Sequence, residues 1–141
     1  MASFNKFNAF VENLAEKVHN LGSDTLKVAL TNTAPSSANS TFSDITEISA
    51  GNGYTAGGTA ATISSSSQTS GTYKLVLADV VFTASGGSIG PFRYAVIYND
   101  TPTSPADPLI GYWDYGSSVT LADTETFTVD FDASSGVLTL A

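Results

Sequence analysis

Cysteine is absent from this chain of 141 residues, and with it go disulfides, thiolate zinc sites and any cysteine nucleophile. Basic side chains are scarce. Lys and Arg number 5 against 13 Asp and Glu, for a formal net charge of −8. Sequence-independent nucleic-acid binding runs on Lys and Arg contacts to phosphate, so no nucleic-acid partner is expected. The same balance disfavours an anionic membrane surface, and no apolar run is long enough to span a bilayer, so no membrane partner is expected either. The first ten residues are polar-interrupted and lack the apolar stretch of a secretory signal. The only histidine is His19. What remains is a length suited to one domain, able to bury roughly two-thirds of its unfolded surface without staples.

The apolar residues that are present fall into two periods. Phe4, Phe7, Val11, Leu14, Val18 and Leu21 recur at alternating steps of three and four, which lines one face of an α-helix over residues 4–21. Ser3 is placed to cap its start and Gly22 to end it. Residues 1–23 are therefore read as an amphipathic helical segment, with Phe10 widening its stripe. Two roles are open to it: packing on the rest of the chain, or docking as an arm on a neighbouring subunit. A helix this long would demand much of one small β face, so the arm is the expectation, with residues 24–141 folding without it.

Beyond Gly22 the period becomes two. Strands are expected over 26–31, weakly over 59–64, over 73–82 with a bend or bulge at Asp79, and over 92–98 in a central position because both faces are apolar. Further strands are expected over 109–115, 119–121, 125–131 and 137–140. Residues 32–44, rich in Ser and Asn around Pro35, read as a loop, and so do the glycine-rich stretch 51–58 and the polar low-complexity stretch 64–71. Short strands with turn signals between them and no second helix exclude a βαβ sheet. The expected fold is mainly β, an antiparallel, jelly-roll-like β-sandwich over 24–141 with one N-terminal α-helix. Leu26, Val28, Leu30, Leu75, Leu77, Tyr94, Val96, Phe127, Val129 and Leu138 are its expected core.

Nothing in the chain adds up to a catalyst, and no catalytic, cofactor or metal site is assigned. Gly86-Gly-Ser88-Ile-Gly90 has the spacing of a nucleophile elbow, but Pro91 and a strand follow where a helix is needed, and His19 would be the only base. Gly51-x-Gly53-x-x-Ala56 is a loose dinucleotide fingerprint with no helix behind it to receive a pyrophosphate. Asp130-x-Asp132-x-Ser134 begins like a calcium loop, yet Ser135 and Ala141 stand where Gly and a bidentate Glu belong. The carboxylates Asp100, Asp107, Asp114, Asp123 and Glu125 show no spacing that selects a glycosidase pair. Asp114 reads as a strand-end residue bonding to a turn backbone. Aromatics cluster between Phe92 and Tyr115. Tyr98, Tyr112, Trp113 and Tyr115 suit either interface anchors or a sugar-binding platform, and the anchors are preferred.

Six stretches together carry a resemblance. They are Phe7-Asn-Ala-Phe-Val-Glu-Asn-Leu-Ala-Glu-Lys-Val-His-Asn-Leu21, Leu26-Lys-Val-Ala-Leu-Thr-Asn-Thr-Ala-Pro35 and Gly71-Thr-Tyr-Lys-Leu-Val-Leu-Ala-Asp79, followed by Phe92-Arg-Tyr-Ala-Val-Ile-Tyr-Asn-Asp100, Pro108-Leu-Ile-Gly-Tyr-Trp-Asp-Tyr-Gly-Ser117 and Glu125-Thr-Phe-Thr-Val-Asp-Phe-Asp132. Over nearly its whole length the chain resembles small structural proteins of tailed-phage virions, of the head decoration (cement) type. The resemblance implies a non-enzymatic protein made in the host cytoplasm and carried on the exterior of the capsid. It would bind the major capsid protein, bridge neighbouring capsomers, and self-associate as a dimer or trimer. A neck, tail or fibre-base protein of the same virion is the alternative within that class. A carbohydrate-binding module is the alternative outside it.

Overall fold

The structure is a computed structural model and describes residues 2–141. Ten strands and one α-helix follow in the order β1 (Asn5–Lys6), α1 (Asn8–Ala15), β2 (Leu26–Thr31), β3 (Thr59–Ala61), β4 (Ile63–Thr69), β5 (Thr72–Leu77), β6 (Val80–Thr83), β7 (Ile89–Asn99), β8 (Leu109–Leu121), β9 (Thr126–Val129) and β10 (Leu138–Leu140). Every pairing is antiparallel. The strands form a five-stranded sheet in the order β1-β8-β7-β2-β3, a three-stranded sheet β10-β5-β4, and a two-stranded sheet β6-β9.

The central strands β2 and β7 are largely buried on both faces, as the apolar run in β7 predicts and the half-buried alternation of β2 does not. Period-two alternation divides their side chains. Leu26, Val28, Leu30, Ala95 and Ile97 join a large core with Leu75 and Leu77 of β5, Phe82 of β6 and Val129 of β9. Ala29, Val96, Tyr98 and Leu109 face the other way and form a second core with Phe7. That second face is covered by the 32–48 segment, whose Phe42 stacks on Tyr98 with centroids 4.2 Å apart and planes 11° from parallel. Asp44 holds this segment in place. Its carboxylate accepts the Ser40 and Thr41 N–H groups around a short 3-10 turn. Those bonds favour the ionised form and hold its pKa below the ordinary carboxylate value.

The N-terminal segment departs from the expected helix over 4–21. Only Asn8–Ala15 is α-helical, without a side-chain cap at its start. Residues 5 and 6 pair instead with Tyr112 and Gly111 of β8, and the helix ends where Lys17 takes φ 68°. The Val18 N–H reaches back to the Asn13 carbonyl at 2.9 Å, closing a Schellman turn with lysine in the position glycine usually holds. Phe7 is 0% exposed in the second core, and Phe10 is buried in the first. The expectation of a detached arm is corrected by these two side chains: the segment crosses the edge of the sheet and places one phenylalanine in each core.

Three further expectations change. The serine-rich stretch 64–71 is a strand rather than a loop. β4 pairs with β5 through a two-residue hairpin in which Ser70 and Gly71 have φ 51° and 84°, the left-handed pair of a type I′ turn. The stretch 73–82 is two strands in two sheets. The break falls at Ala78 and Asp79, and the Asp79 carboxylate accepts the Phe131 N–H at 2.8 Å. The stretch 109–121 is one strand, because β7 is long enough to supply partners from Leu121 to Leu109 across its bulges. Six of the ten expected core residues are deeply buried (Leu26, Val28, Leu30, Leu75, Leu77 and Val96), and Val129 is buried as well. Tyr94, Phe127 and Leu138 are half-buried.

A polar hub ties residues 19–24 to the end of β7. Asn99 is fully buried, and its amide donates to the Asp24 carboxylate at 2.7 Å and to His19 Nδ1 at 3.1 Å. With Nδ1 accepting, the imidazole is neutral and carries its hydrogen on Nε2, which is buried without a partner. Burial lowers the His19 pKa from 6.5 to about 4, with Asp24 opposing weakly. Below pH 6.5 the unfolded chain takes a proton that the folded chain refuses. Stability is therefore expected to be full above pH 6.5 and to fall between 6.5 and 4. Denaturant unfolding across that range checks it. His19→Asn, which keeps an acceptor for Asn99 and cannot titrate, is expected to flatten the slope.

Candidate functional site

An aromatic groove of about 300 Å³ lies where the middle of β7 and β8 meets β9 and the 130–137 segment. Strand alternation builds it. On β8, Trp113 and Tyr115 point to the same face, and on β9 and just beyond it Phe127, Val129 and Phe131 do likewise. Phe92 closes the floor, fully buried. Phe4 is brought in from the N-terminus and packs on Trp113 with ring centroids 5.4 Å apart. Gly111 makes room for Phe4, because a side chain there would occupy the position of that ring. The rings meet edge to face: Trp113 with Phe131 at 5.6 Å, Tyr115 with Phe127 at 5.3 Å, and Phe92 with Phe127 at 4.9 Å. Tyr115 is the most open of them, at 57% exposed.

The rim is polar: Arg93 and Asp132 are engaged with partners, and Asp130 is exposed. Arg93 donates to both Asp114 oxygens at 2.8 and 3.0 Å across β7 and β8, and its guanidinium lies 5.5 Å from the centre of the Tyr94 ring. Asp114 also accepts the Gly116 N–H at 2.8 Å. The Arg93 bond, then the Gly116 bond, hold its pKa below the ordinary carboxylate value. On the opposite rim the Asp132 carboxylate accepts the Ser134 N–H and the hydroxyls of Ser134 and Ser135. The Ser135 and Ser134 hydroxyls, followed by the backbone bonds, push its pKa far down. Both carboxylates thus stay charged and hydrogen-bonded at neutral pH.

The expected aromatic cluster divides between two faces. Trp113 and Tyr115 reach the groove. Tyr98 and Tyr112 lie on the far side of the sheet, Tyr98 with its hydroxyl donating to the Gly57 carbonyl at 2.6 Å, Tyr112 against Phe7 at 5.3 Å. Phe4, Phe92, Phe127 and Phe131 complete the groove. Alternation marks Phe127 and Phe131 as inward-facing without revealing that they open to a surface, while Phe4 belongs to the helical stripe and Phe92 to a strand apolar on both faces. Ser88 lies in the turn leading to β7, and the hydrogen-bond partner of the His19 ring is Asn99, not a serine. Gly51 and Tyr54 exchange backbone hydrogen bonds at 2.8 and 3.0 Å, so the loose dinucleotide pattern is a closed turn that leads into β3. Tyr54 pins that turn from inside. Its buried hydroxyl donates to Glu47 at 2.7 Å and accepts the Leu30 N–H at 3.0 Å. The glycine-rich stretch is therefore anchored rather than free. Asp100 pairs with Lys27 at 3.1 Å, while Asp123 and Glu125 accept N–H groups of Gly86 and Ala122 in turns. Among the described residues, no three His, Cys, Asp or Glu side chains cluster as a metal site, and no helix is long and apolar enough to cross a membrane. Comparisons with protein families, with curated proteins and with solved structures return no match, so the groove and the sequence resemblance are what speak to function.

Proposed function

We propose that this protein is a non-catalytic decoration protein of a phage capsid. It binds the outer surface of the head, bridges neighbouring subunits of the major capsid protein and stabilises the shell. The single structural observation behind this is the aromatic groove: Trp113, Tyr115, Phe127 and Phe131 form a concave apolar surface, flanked by the Arg93–Asp114 ion pair and by Asp132 bonded to its own serine turn. Buried aromatic anchors dominate protein–protein affinity. Modest contacts repeated over many symmetry-related copies add to a large stabilisation. The near full-length resemblance to virion structural proteins supplies the partner. In this reading the three sheets form one jelly-roll-like sandwich, since the largest core draws on all of them. The copies also self-associate.

A carbohydrate-binding module would use the same groove. Its rings pack edge to face rather than side by side in one plane, which favours a protein partner over a flat sugar platform. Replacing Tyr115 with Ser tests the groove, because an exposed ring leaves the core intact. The variant is expected to keep its melting temperature and to co-sediment with undecorated capsids at least about tenfold more weakly, as loss of an interface anchor predicts. Unchanged capsid binding, or quenching of Trp113 fluorescence by sugars, would overturn the assignment.

A further inference from the structure

The three-stranded sheet ends in an open edge. β4 hydrogen-bonds to β5 on one side only, and among the described residues no other backbone hydrogen bond involves residues 63–69. Proteins ordinarily guard such an edge with charge, proline or a covering element. Here the strand reads Ile-Ser-Ser-Ser-Ser-Gln-Thr, without charge or proline. A register irregularity lies between Ile63 and Ser65, and pairing is continuous from Ser65 to Thr69. Ser65 and Ser67 are exposed, on the same side, while Ser66 turns inward to the Tyr73 hydroxyl at 2.9 Å. The chain carries −8, so two copies repel, yet residues 48–73 contain no charged side chain at all.

We propose that a second copy of this chain occupies the edge, with two β4 strands pairing antiparallel about a two-fold axis. The two three-stranded sheets become one of six strands. A two-fold antiparallel ladder is self-complementary, because each unpaired N–H and C=O on one copy meets its counterpart on the other. Small serine side chains let the strands approach, and the uncharged stretch brings the copies together where their repulsion is least. The inference specifies the surface used in the self-association proposed above and is independent of capsid binding.

The test uses the full-length protein in the absence of capsids. Light scattering after gel filtration is expected to give twice the chain mass. Ser65→Glu with Ser67→Glu, and separately Ser65→Lys with Ser67→Lys, place like charges across the paired strands and are expected to weaken association by about tenfold or more. Mixing the two variants is expected to restore dimers. Hydrogen exchange of the unmodified protein gives a second readout that needs no variant: protection of amides 64–69 should rise with protein concentration. A monomeric wild type would overturn the proposal. So would dimers that ignore both substitutions, which would place self-association on another surface, or β4 amides with concentration-independent exchange.

Discussion

Deleting residues 1–22 is expected to leave a chain without fixed tertiary structure, not a trimmed β domain. The deletion removes β1, which covers the outer edge of β8, and exposes both faces of the five-stranded sheet. Phe7 leaves the second core, where it is packed with Ala29, Val96, Tyr98 and Leu109, and Phe10 and Leu21 leave the first. Removing a single buried phenylalanine costs about 3–5 kcal/mol. Two of them approach the whole stability of an ordinary domain, about 5–15 kcal/mol. The deletion also removes His19, one of the two side-chain partners of the Asn99 amide. Near-UV circular dichroism and dispersion of amide proton shifts check the outcome. A cooperative melt from the truncated chain would contradict it. Phe7→Ala alone gives the milder test, with a drop of about 3–5 kcal/mol measured by denaturant.

The second large effect is expected at Gly58. Its φ of +81° lies in the left-handed region, and a methyl group there would collide with the backbone carbonyl of Val28. Val28 is fully buried, and it pairs with Thr59 at the start of β3. The neighbour that must move is therefore the main chain of a core strand, which cannot give way as a flexible side chain does. Gly58→Ala is expected to cost more than about 3 kcal/mol, backbone strain and collision together. Gly71 is the control. Its φ of +84° is nearly the same, but a methyl group there would meet nothing within 4 Å. Gly71→Ala is expected to cost about 1–2 kcal/mol from strain alone. Equal losses at the two positions would mean that the approach of Gly58 to β2 does not matter.

The antiparallel, mainly β character and the N-terminal helix were legible because period-two and helical alternation report burial directly. β7 announces its central place through apolar residues on both faces, and β9 its inward face through alternation. β2 instead reads as half-buried, because small Ala29 and polar Lys27 and Thr31 mark its second face, which the fold covers as well. The helix was overextended because a three-four stripe looks the same whether its ends are helical or extended. Phe7 is buried in either case, but only the pairing of residues 5 and 6 with β8, a contact between distant parts of the chain, decides the backbone there. Lys17 in a left-handed cap carries no glycine signal. β4 was hidden for a different reason. Serine is read as a loop residue when it bonds to its own backbone, yet an edge strand needs no apolar face, and the hairpin at Ser70 and Gly71 supplies the register. The groove was half legible. Trp113 and Tyr115 stood out in the sequence, whereas Phe4 joins them only through the fold, across the gap left by Gly111. The 32–48 segment lacked any strand or helix period. It covers Tyr98 and the second core through two side chains, Phe42 and Ile45, that no periodicity marks.

The most direct test of the decoration role is the stoichiometry of this protein in purified virions, measured by quantitative gel densitometry against the major capsid protein. A protein that bridges capsomers over the whole shell is expected at a copy number comparable to the number of capsid subunits or of their symmetry-related junctions, and it should be accessible to protease on intact heads. A copy number that fits a single ring at the neck or tail, or absence from the virion, would contradict the account.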